Sequence, residues 1–271
     1  MSTLAVAQFA PGASRDENLA RMTALADEAV QRGATLVVFP EYSSYFTPEL
    51  SADWLPHAEA LDGPFVSAVG RMARERGIHV VAGLVETADD GRMHNTLAAV
   101  GPDGTLLAVY RKLHLYDAFG GRESDVLAPG ALDAPQLFAW GGFTVGMQTC
   151  YDIRFPEVSR RLVDAGADVL LVPAEWVSGP LKEHHWRTLL TARALENTVY
   201  LAAADHAPPI GVGASIVVDP MGVVLADAGE RAAAVEVARL DRDRMTQVRE
   251  INPALRLRRF GVIPVSEGEA R

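Results

Sequence analysis

Three residues of chemically versatile type each follow an apolar run. Glu41 follows Leu36-Val-Val-Phe-Pro, Lys112 follows Leu106-Leu-Ala-Val-Tyr-Arg, and Cys150 follows Phe143-Thr-Val-Gly-Met-Gln-Thr. Short apolar runs bounded by turn residues read as buried strands. In open α/β sheets ligands collect outside the carboxyl ends of strands, so a Glu, a Lys and a Cys delivered there can converge on one pocket. Cys is a nucleophile once it loses its proton, and Glu and Lys carry protons or charge, which together suits acyl-transfer chemistry. Each residue alone also has a plain reading: a solvated loop acid, a solvated loop base, a small buried hydrophobe.

The elements that must position these residues alternate along the chain. Thr3–Phe9 reads as a first strand. Ser14 with Glu17 three residues on resembles a capping box. It opens a helix whose Leu19, Met22, Ala26, Ala29 and Val30 share one face, and Gly33 stops it. A strand over Thr35–Phe39, a helix over Pro64–Arg76 and strands over His79–Glu86, Asn95–Val100 and Thr105–Tyr110 follow. The turn Gly101-Pro-Asp-Gly104 joins the last two. From Tyr110 to Gly130 the chain is irregular and polar, and a loop of that length is usually functional. The pattern then predicts a strand over Phe143–Gln148, a helix beginning near Phe155, a strand over Val169–Val172 and a helix over Trp186–Asn197. Strands over Val199–Asp205, Ala214–Val218, Val223–Ala226 and Ala233–Leu240 precede a last helix over Arg242–Ile251. No Gly/Ser or Pro-rich linker and no repeat interrupts this order, so residues 1–271 are expected to form a single α/β domain. Inner strands apolar on both faces imply helices covering a sheet or a pair of sheets.

Composition narrows the function classes. The 271 residues are 49% hydrophobic and 22% charged, a globular profile. A formal net charge of −10 disfavours a nucleic-acid or anionic-membrane partner. The basic cluster Arg256, Arg258 and Arg259 lies in the tail and reads as a surface or subunit patch. The start has no basic segment typical of a signal peptide, and no apolar run reaches bilayer length. A lone cysteine makes no internal disulfide, and a cytoplasmic location is expected. Gly-rich phosphate loops are absent and no cofactor is expected. His184 and His185 lack further ligands at helical spacing, so no metal site is expected.

Three blocks carry a resemblance. Phe39-Pro-Glu41, Tyr110-Arg-Lys-Leu-His-Leu-Tyr-Asp117 and Cys150-Tyr-Asp-Ile-Arg-Phe-Pro-Glu157 resemble the signature blocks of the nitrilase (carbon–nitrogen hydrolase) superfamily, in the family's order. His185-Trp186 with Arg193-Ala-Leu-Glu-Asn197, and Ser215-Ile-Val-Val-Asp-Pro220 with Gly222, agree with later blocks. The similarity runs from residue 3 to about 260. It implies a four-layer α-β-β-α sandwich and a homodimer or higher homo-oligomer, with the tail from about residue 255 at a subunit contact.

The same resemblance assigns roles. Cys150 is the nucleophile of a thioester mechanism. A free thiol at neutral pH is only slightly ionised, so Glu41 is needed to take its proton, pass it to departing ammonia and later activate water. Lys112 faces the tetrahedral oxyanion, helped by the backbone N–H of Tyr151 after the sharp turn at Cys150. Glu123 stands where the family places an auxiliary glutamate that holds the lysine and the substrate amine.

The nucleophile block also bears on substrate. Tyr151-Asp152 with Arg154-Phe-Pro-Glu157 resembles the branch of ω-amidases and deaminated-glutathione amidases. That resemblance gives Arg154 the substrate carboxylate, a role a guanidinium suits. The alternative is a structural pair of Arg154 with Glu157 or Asp152. Trp176 is expected as an apolar wall and Tyr45 at the pocket rim. Two departures stand out: Ala214 where the branch usually has His, and Glu175, whose charge would oppose a dicarboxylate. The leading function is hydrolysis of a small linear, carboxylate-bearing amide. A carbamoyl-amide hydrolase and a binding protein without turnover are the alternatives.

Overall fold

The computed structural model describes residues 2–265. The first half contains strand β1 (Ser2–Gln8), helix α1 (Arg15–Gln31), β2 (Leu36–Val38), α2 (Pro64–Arg76), β3 (His79–Thr87), β4 (Met93–Val100) and β5 (Leu106–Arg111). The second half contains β6 (Leu137–Trp140), β7 (Phe143–Met147), α3 (Pro156–Asp164), β8 (Val169–Ala174), α4 (Lys182–Asn197), β9 (Tyr200–Asp205), β10 (Ile216–Val218), β11 (Val224–Asp227), β12 (Ala234–Leu240) and α5 (Arg242–Ile251).

The strands form two six-stranded sheets, ordered β12-β1-β2-β3-β4-β5 and β11-β10-β9-β8-β7-β6. Successive side chains on a strand point to opposite faces, and the two faces here have different neighbours. Leu4, Val6, Leu36 and Val38 join Val145, Met147, Val169 and Leu171 in the core between the sheets. The alternate residues Ala5, Val37 and Val80 pack on Met22 and Ala26 of α1 and on Phe65 and Val69 of α2. On the other sheet Leu170, Val172 and Leu201 pack on Leu162 of α3 and on Trp186 and Leu190 of α4. The result is the expected four-layer α-β-β-α sandwich, and the double burial explains why these strands are apolar throughout.

The helix signals act as read. Ser14 caps α1 by accepting from the Glu17 N–H at 3.4 Å, and α2 ends on Gly77, whose φ of 63° needs no Cβ. Two elements differ from expectation. β6 is an additional edge strand, short enough that its four residues give no readable alternation. α4 starts at Lys182 rather than Trp186, because its first turn is polar and lies outside the apolar stripe. Beyond α5 the chain makes a short 3-10 turn over Ala254–Leu257, then runs to residue 265 without helix or strand, with Phe260 and Ile263 exposed. The tail expected from about residue 255 reaches residue 271, and residues 266–271 lie outside the described residues. Among the described residues no helix is long and apolar enough to cross a membrane.

Candidate active site

The site is built where β2, β5, β7 and β8 end. β2 pairs in parallel with β3, and the chain then turns over β3 at Gly83. A Cβ on Gly83 would lie 2.7 Å from the Glu41 Cα and 2.6 Å from the Tyr42 nitrogen. Only glycine lets the Glu41 turn lie this close to the strand. Two further bonds hold the turn down: the Gly83 N–H donates to the Pro40 carbonyl at 3.2 Å, and the Ser44 N–H donates to the Gly83 carbonyl at 3.1 Å. His206, fully buried, meets the Glu41 carbonyl with Nε2 at 2.7 Å. A carbonyl only accepts, so this nitrogen carries the proton. Burial lowers the pKa of His206 to about 4, which keeps the ring neutral.

Lys112 is held from the opposite edge. Its backbone N–H donates to Asn95 on β4 at 2.9 Å. Just before it, the Arg111 guanidinium grips the buried Glu86 with Nε and Nη2, at 2.7 and 2.5 Å. Cys150 arrives from β7 at the head of a 3-10 turn over Cys150–Arg154, with φ at 45°. A non-glycine residue in this left-handed region is strained, and strained positions of this kind cluster at functional sites. Asp152 ties the turn to the Lys112 segment. It is fully buried and accepts from the Tyr110 hydroxyl at 2.6 Å, the His114 N–H at 2.9 Å and the Thr149 N–H at 3.2 Å.

These constraints produce a continuous polar chain. Lys112 Nζ donates to Glu41 Oε1 and to Glu123 Oε1, both at 3.0 Å, and is 1% exposed. Glu41 Oε1 also accepts from Asn95 Nδ2 at 2.5 Å, and its Oε2 accepts from the Glu175 N–H at 2.5 Å. Glu123 accepts in addition from the Tyr42 hydroxyl at 3.2 Å and the Tyr116 N–H at 2.7 Å. The Cys150 thiol donates to the Glu175 carbonyl at 3.5 Å. One peptide group, that of Glu175, therefore touches both the sulfur and the Glu41 carboxylate.

The electrostatics follow from burial and charge. Burial raises the Cys150 pKa well above an ordinary thiol, and the Glu41 charge adds to it, so the resting sulfur is protonated. Burial opposes the Lys112 ammonium, but Glu123 and Glu41 together outweigh it and hold its pKa well above the usual lysine value. Burial, then Glu41, pushes the Glu175 carboxyl well up, which favours its neutral form. That answers the charge objection raised by Glu175 at the sequence level.

Glu41, Lys112, Glu123, Cys150, Tyr151 and Trp176 line one pocket. Glu175, Tyr116, Val177 and Lys182 complete it. Tyr116, Glu123, Glu175 and Val177 also border a wider groove running past Tyr42 and Ile210. Arg154 comes close without lining the pocket: its guanidinium carbon lies 4.8 Å from the Trp176 ring centre and 5.9 Å from that of Tyr151. It makes no ion pair with Glu157 or Asp152 among the described residues. Tyr45 is not brought to the pocket. Its ring stacks on His57 at 3.9 Å and packs edge-on against Trp54, because the turn over Ala52–His57 folds across it. Tyr42 takes the place near Glu123 instead. Ala214 is buried with φ at 50°, and its carbonyl accepts from Trp186 Nε1 at 3.1 Å. The rings of His184 and His185 lie 6.2 Å apart on α4.

Sequence reasoning passed over Asn95, Tyr42, Tyr116 and Lys182. Asn95 left a signal, a polar residue in an apolar strand. Lys182 left none, since a lysine opening a polar helical turn reads as solvated.

Residues 3–250 match the family model described as carbon-nitrogen hydrolase. A Mycobacterium tuberculosis protein named only as a hydrolase is 40% identical, over 93% of this chain and 94% of its own. A deaminated glutathione amidase of Escherichia coli O157:H7 is 38% identical, over 95% of this chain and 97% of its own. The human omega-amidase NIT2 is 34% identical, over 97% and 96%. Among solved structures, a mutant amidase of Nesterenkonia sp. AN1 superposes with a TM-score of 0.77 at 28% identity, covering 95% of this chain and 100% of that one. Its active-site cysteine carries the product of Michael addition of acrylamide.

Proposed function

Since the chain belongs to the carbon-nitrogen hydrolase family and is an enzyme of that class, we propose that it hydrolyses a small, carboxylate-bearing linear amide through a thioester on Cys150. The observation that carries this reading is the chain of contacts from Glu123 through Lys112, Glu41 and the Glu175 peptide to the Cys150 sulfur.

Sulfur attacks the amide carbon while Glu41 takes the thiol proton. The resting thiol is too weak an acid to ionise beforehand, so proton transfer accompanies attack. The thiol must first turn from the Glu175 carbonyl, and such tightening on substrate binding is common for catalytic hydrogen bonds. The carbonyl oxygen becomes an oxyanion facing the Lys112 ammonium and the Tyr151 N–H. Glu41 then gives its proton to the nitrogen as the C–N bond breaks, and ammonia leaves. Water attacks the thioester, Glu41 takes its proton, and the carboxylic acid departs as the thiol is restored. Glu123, with both oxygens engaged, keeps the Lys112 charge in place.

The carboxylate preference rests on Arg154, which has no acidic partner among the described residues, and on relatives named omega-amidase and deaminated glutathione amidase. A reducing, cytoplasmic setting suits a functional lone thiol. The tail, with Phe260 and Ile263 exposed beside Arg256, Arg258 and Arg259, is the surface we assign to a subunit contact. The reaction is tested by measuring ammonia from succinamate, α-ketoglutaramate and deaminated glutathione with wild type and Cys150→Ala. Release by wild type alone, with an acyl adduct on Cys150 by intact mass, is the expected result. Release that survives in Cys150→Ala overturns the mechanism, and carbon dioxide accompanying the ammonia indicates a carbamoyl amide instead.

A further inference from the structure

The pocket carries a cation that the reaction does not use. Lys182, the first residue of α4, lines it together with Cys150, Glu41 and Trp176. Its amine donates to the Tyr116 hydroxyl at 2.9 Å. It also stands 4.4 Å from the Phe119 ring centre and 5.6 Å from that of Trp176. Arg154 approaches the same two rings, at 5.8 Å from Phe119 and 4.8 Å from Trp176. Two cations thus share one aromatic surround. Among the described residues, neither has a carboxylate within ion-pairing distance.

Aromatic faces compensate a cation only in part. The remainder is visible at Arg154, whose Nε and Nη2 are buried without a hydrogen-bond partner. A buried donor left unmade is costly, and clustering it with a second cation adds repulsion. An anion at this place would relieve both. Glu175, the other acid of the pocket wall, does not supply it, because burial and Glu41 favour its neutral form. Glu41 and Glu123 are already engaged by Lys112.

We propose that Lys182 is the specificity-determining residue that receives the substrate's carboxylate, with Arg154 adding positive charge across the Trp176 ring. The substrate class is then a monoamide of a dicarboxylic acid, its amide at Cys150 and its free carboxylate near the Tyr116 hydroxyl and the Lys182 amine. This deepens the amidase reading and rests on it. It also shifts the direct contact from Arg154, which does not line the pocket, to a residue no sequence block singles out.

The test compares glutaramate with glutaramide, which differ only in carboxylate against amide at the far end, in wild type, Lys182→Met and Lys182→Arg. The ratio of kcat/KM for glutaramate over glutaramide should fall about tenfold in Lys182→Met, the scale of one hydrogen bond to a charged group. The fall should appear in KM, and Lys182→Arg should recover most of it. A ratio within twofold of wild type in Lys182→Met overturns the proposal, as does an equal loss on both substrates. Lys182→Gln replaces Lys182→Met should that variant not fold. A parallel measurement separates this outcome from failure of the amidase reading: protection of Cys150 from iodoacetamide by glutarate. If wild type hydrolyses neither amide, the amidase reading falls. Lys182 is then judged by whether glutarate protects wild type but not Lys182→Met. Equal protection of both, or none of wild type, overturns it.

Discussion

The floor and the mouth of the pocket are built on opposite electrostatic rules. At the floor every charge is answered: Lys112 lies between Glu41 and Glu123, and the Glu41 carboxylate accepts from Asn95, Lys112 and the Glu175 peptide. At the mouth Arg154 and Lys182 lean on aromatic rings, with no ion-pair partner among the described residues. A closed network of buried charges holds its geometry because removing any member leaves another unpaired in low dielectric. Cations without an ion-pair partner keep their charge available to an anionic ligand. Under the proposed mechanism the floor sets which bond breaks, and the mouth sets which molecules present that bond.

The comparison is broken most severely at the floor. Lys112→Met removes the oxyanion charge and leaves Glu41 and Glu123 facing each other. It should cost a factor of about 1,000 or more in kcat, and roughly 3–5 kcal/mol of stability from the uncompensated carboxylates. Single-turnover kinetics and urea unfolding read the two effects, and a stable, active variant would show that the floor does not depend on charge balance.

Gly83→Ala tests whether the floor depends on position as well as charge. Its Cβ must displace the Glu41 turn, and a shift near 1 Å should cost about 100-fold in kcat. Wild-type turnover by this variant would mean that the turn yields without moving the carboxylate.

At the mouth the effects are smaller and fall on binding. Arg154→Met should raise KM for a carboxylated amide about threefold with little change in kcat, as loss of a nearby positive charge without a direct contact predicts. An equal fall in kcat would move Arg154 from the mouth to the floor.

The remaining effect, on stability alone, concerns His206 beneath Glu41. Its folded pKa of about 4 lies below its ordinary value. Its contribution to stability is therefore complete above about pH 6.5, and is lost as pH falls towards 4, by about 3 kcal/mol at most. His206→Asn should melt with a flatter dependence on pH over this window. An unaltered acid slope would remove His206 from the account.

Legibility in the sequence followed the physical range of each signal. The α2 and α5 boundaries coincide with their expected spans because their caps and apolar stripes are local. β6 escaped because four residues carry no period. The start of α4 escaped because a polar first turn resembles a loop. The blocks around Glu41, Lys112, Glu123 and Cys150 pointed to residues that the fold brings to one pocket. Tyr45 was expected at the rim and lies under the Ala52–His57 turn, since nothing within Tyr42–Phe46 says which of two tyrosines faces the site.

The sequence by itself determined that helices cover the sheets, through strands apolar on both faces, with the two-sheet sandwich implied by the family resemblance. It also put Glu41, Lys112 and Cys150 at strand ends that meet in one pocket. Those properties live in spans of a few residues, where periodicity and capping act. Only the tertiary structure decided who touches whom. It laid the Glu175 peptide between Cys150 and Glu41, put the acid of Glu175 where burial favours its neutral form, and brought Lys182 to the same rings as Arg154. These contacts join residues far apart in the chain. They arise from packing two sheets and their helices together, and no local pattern encodes that distance.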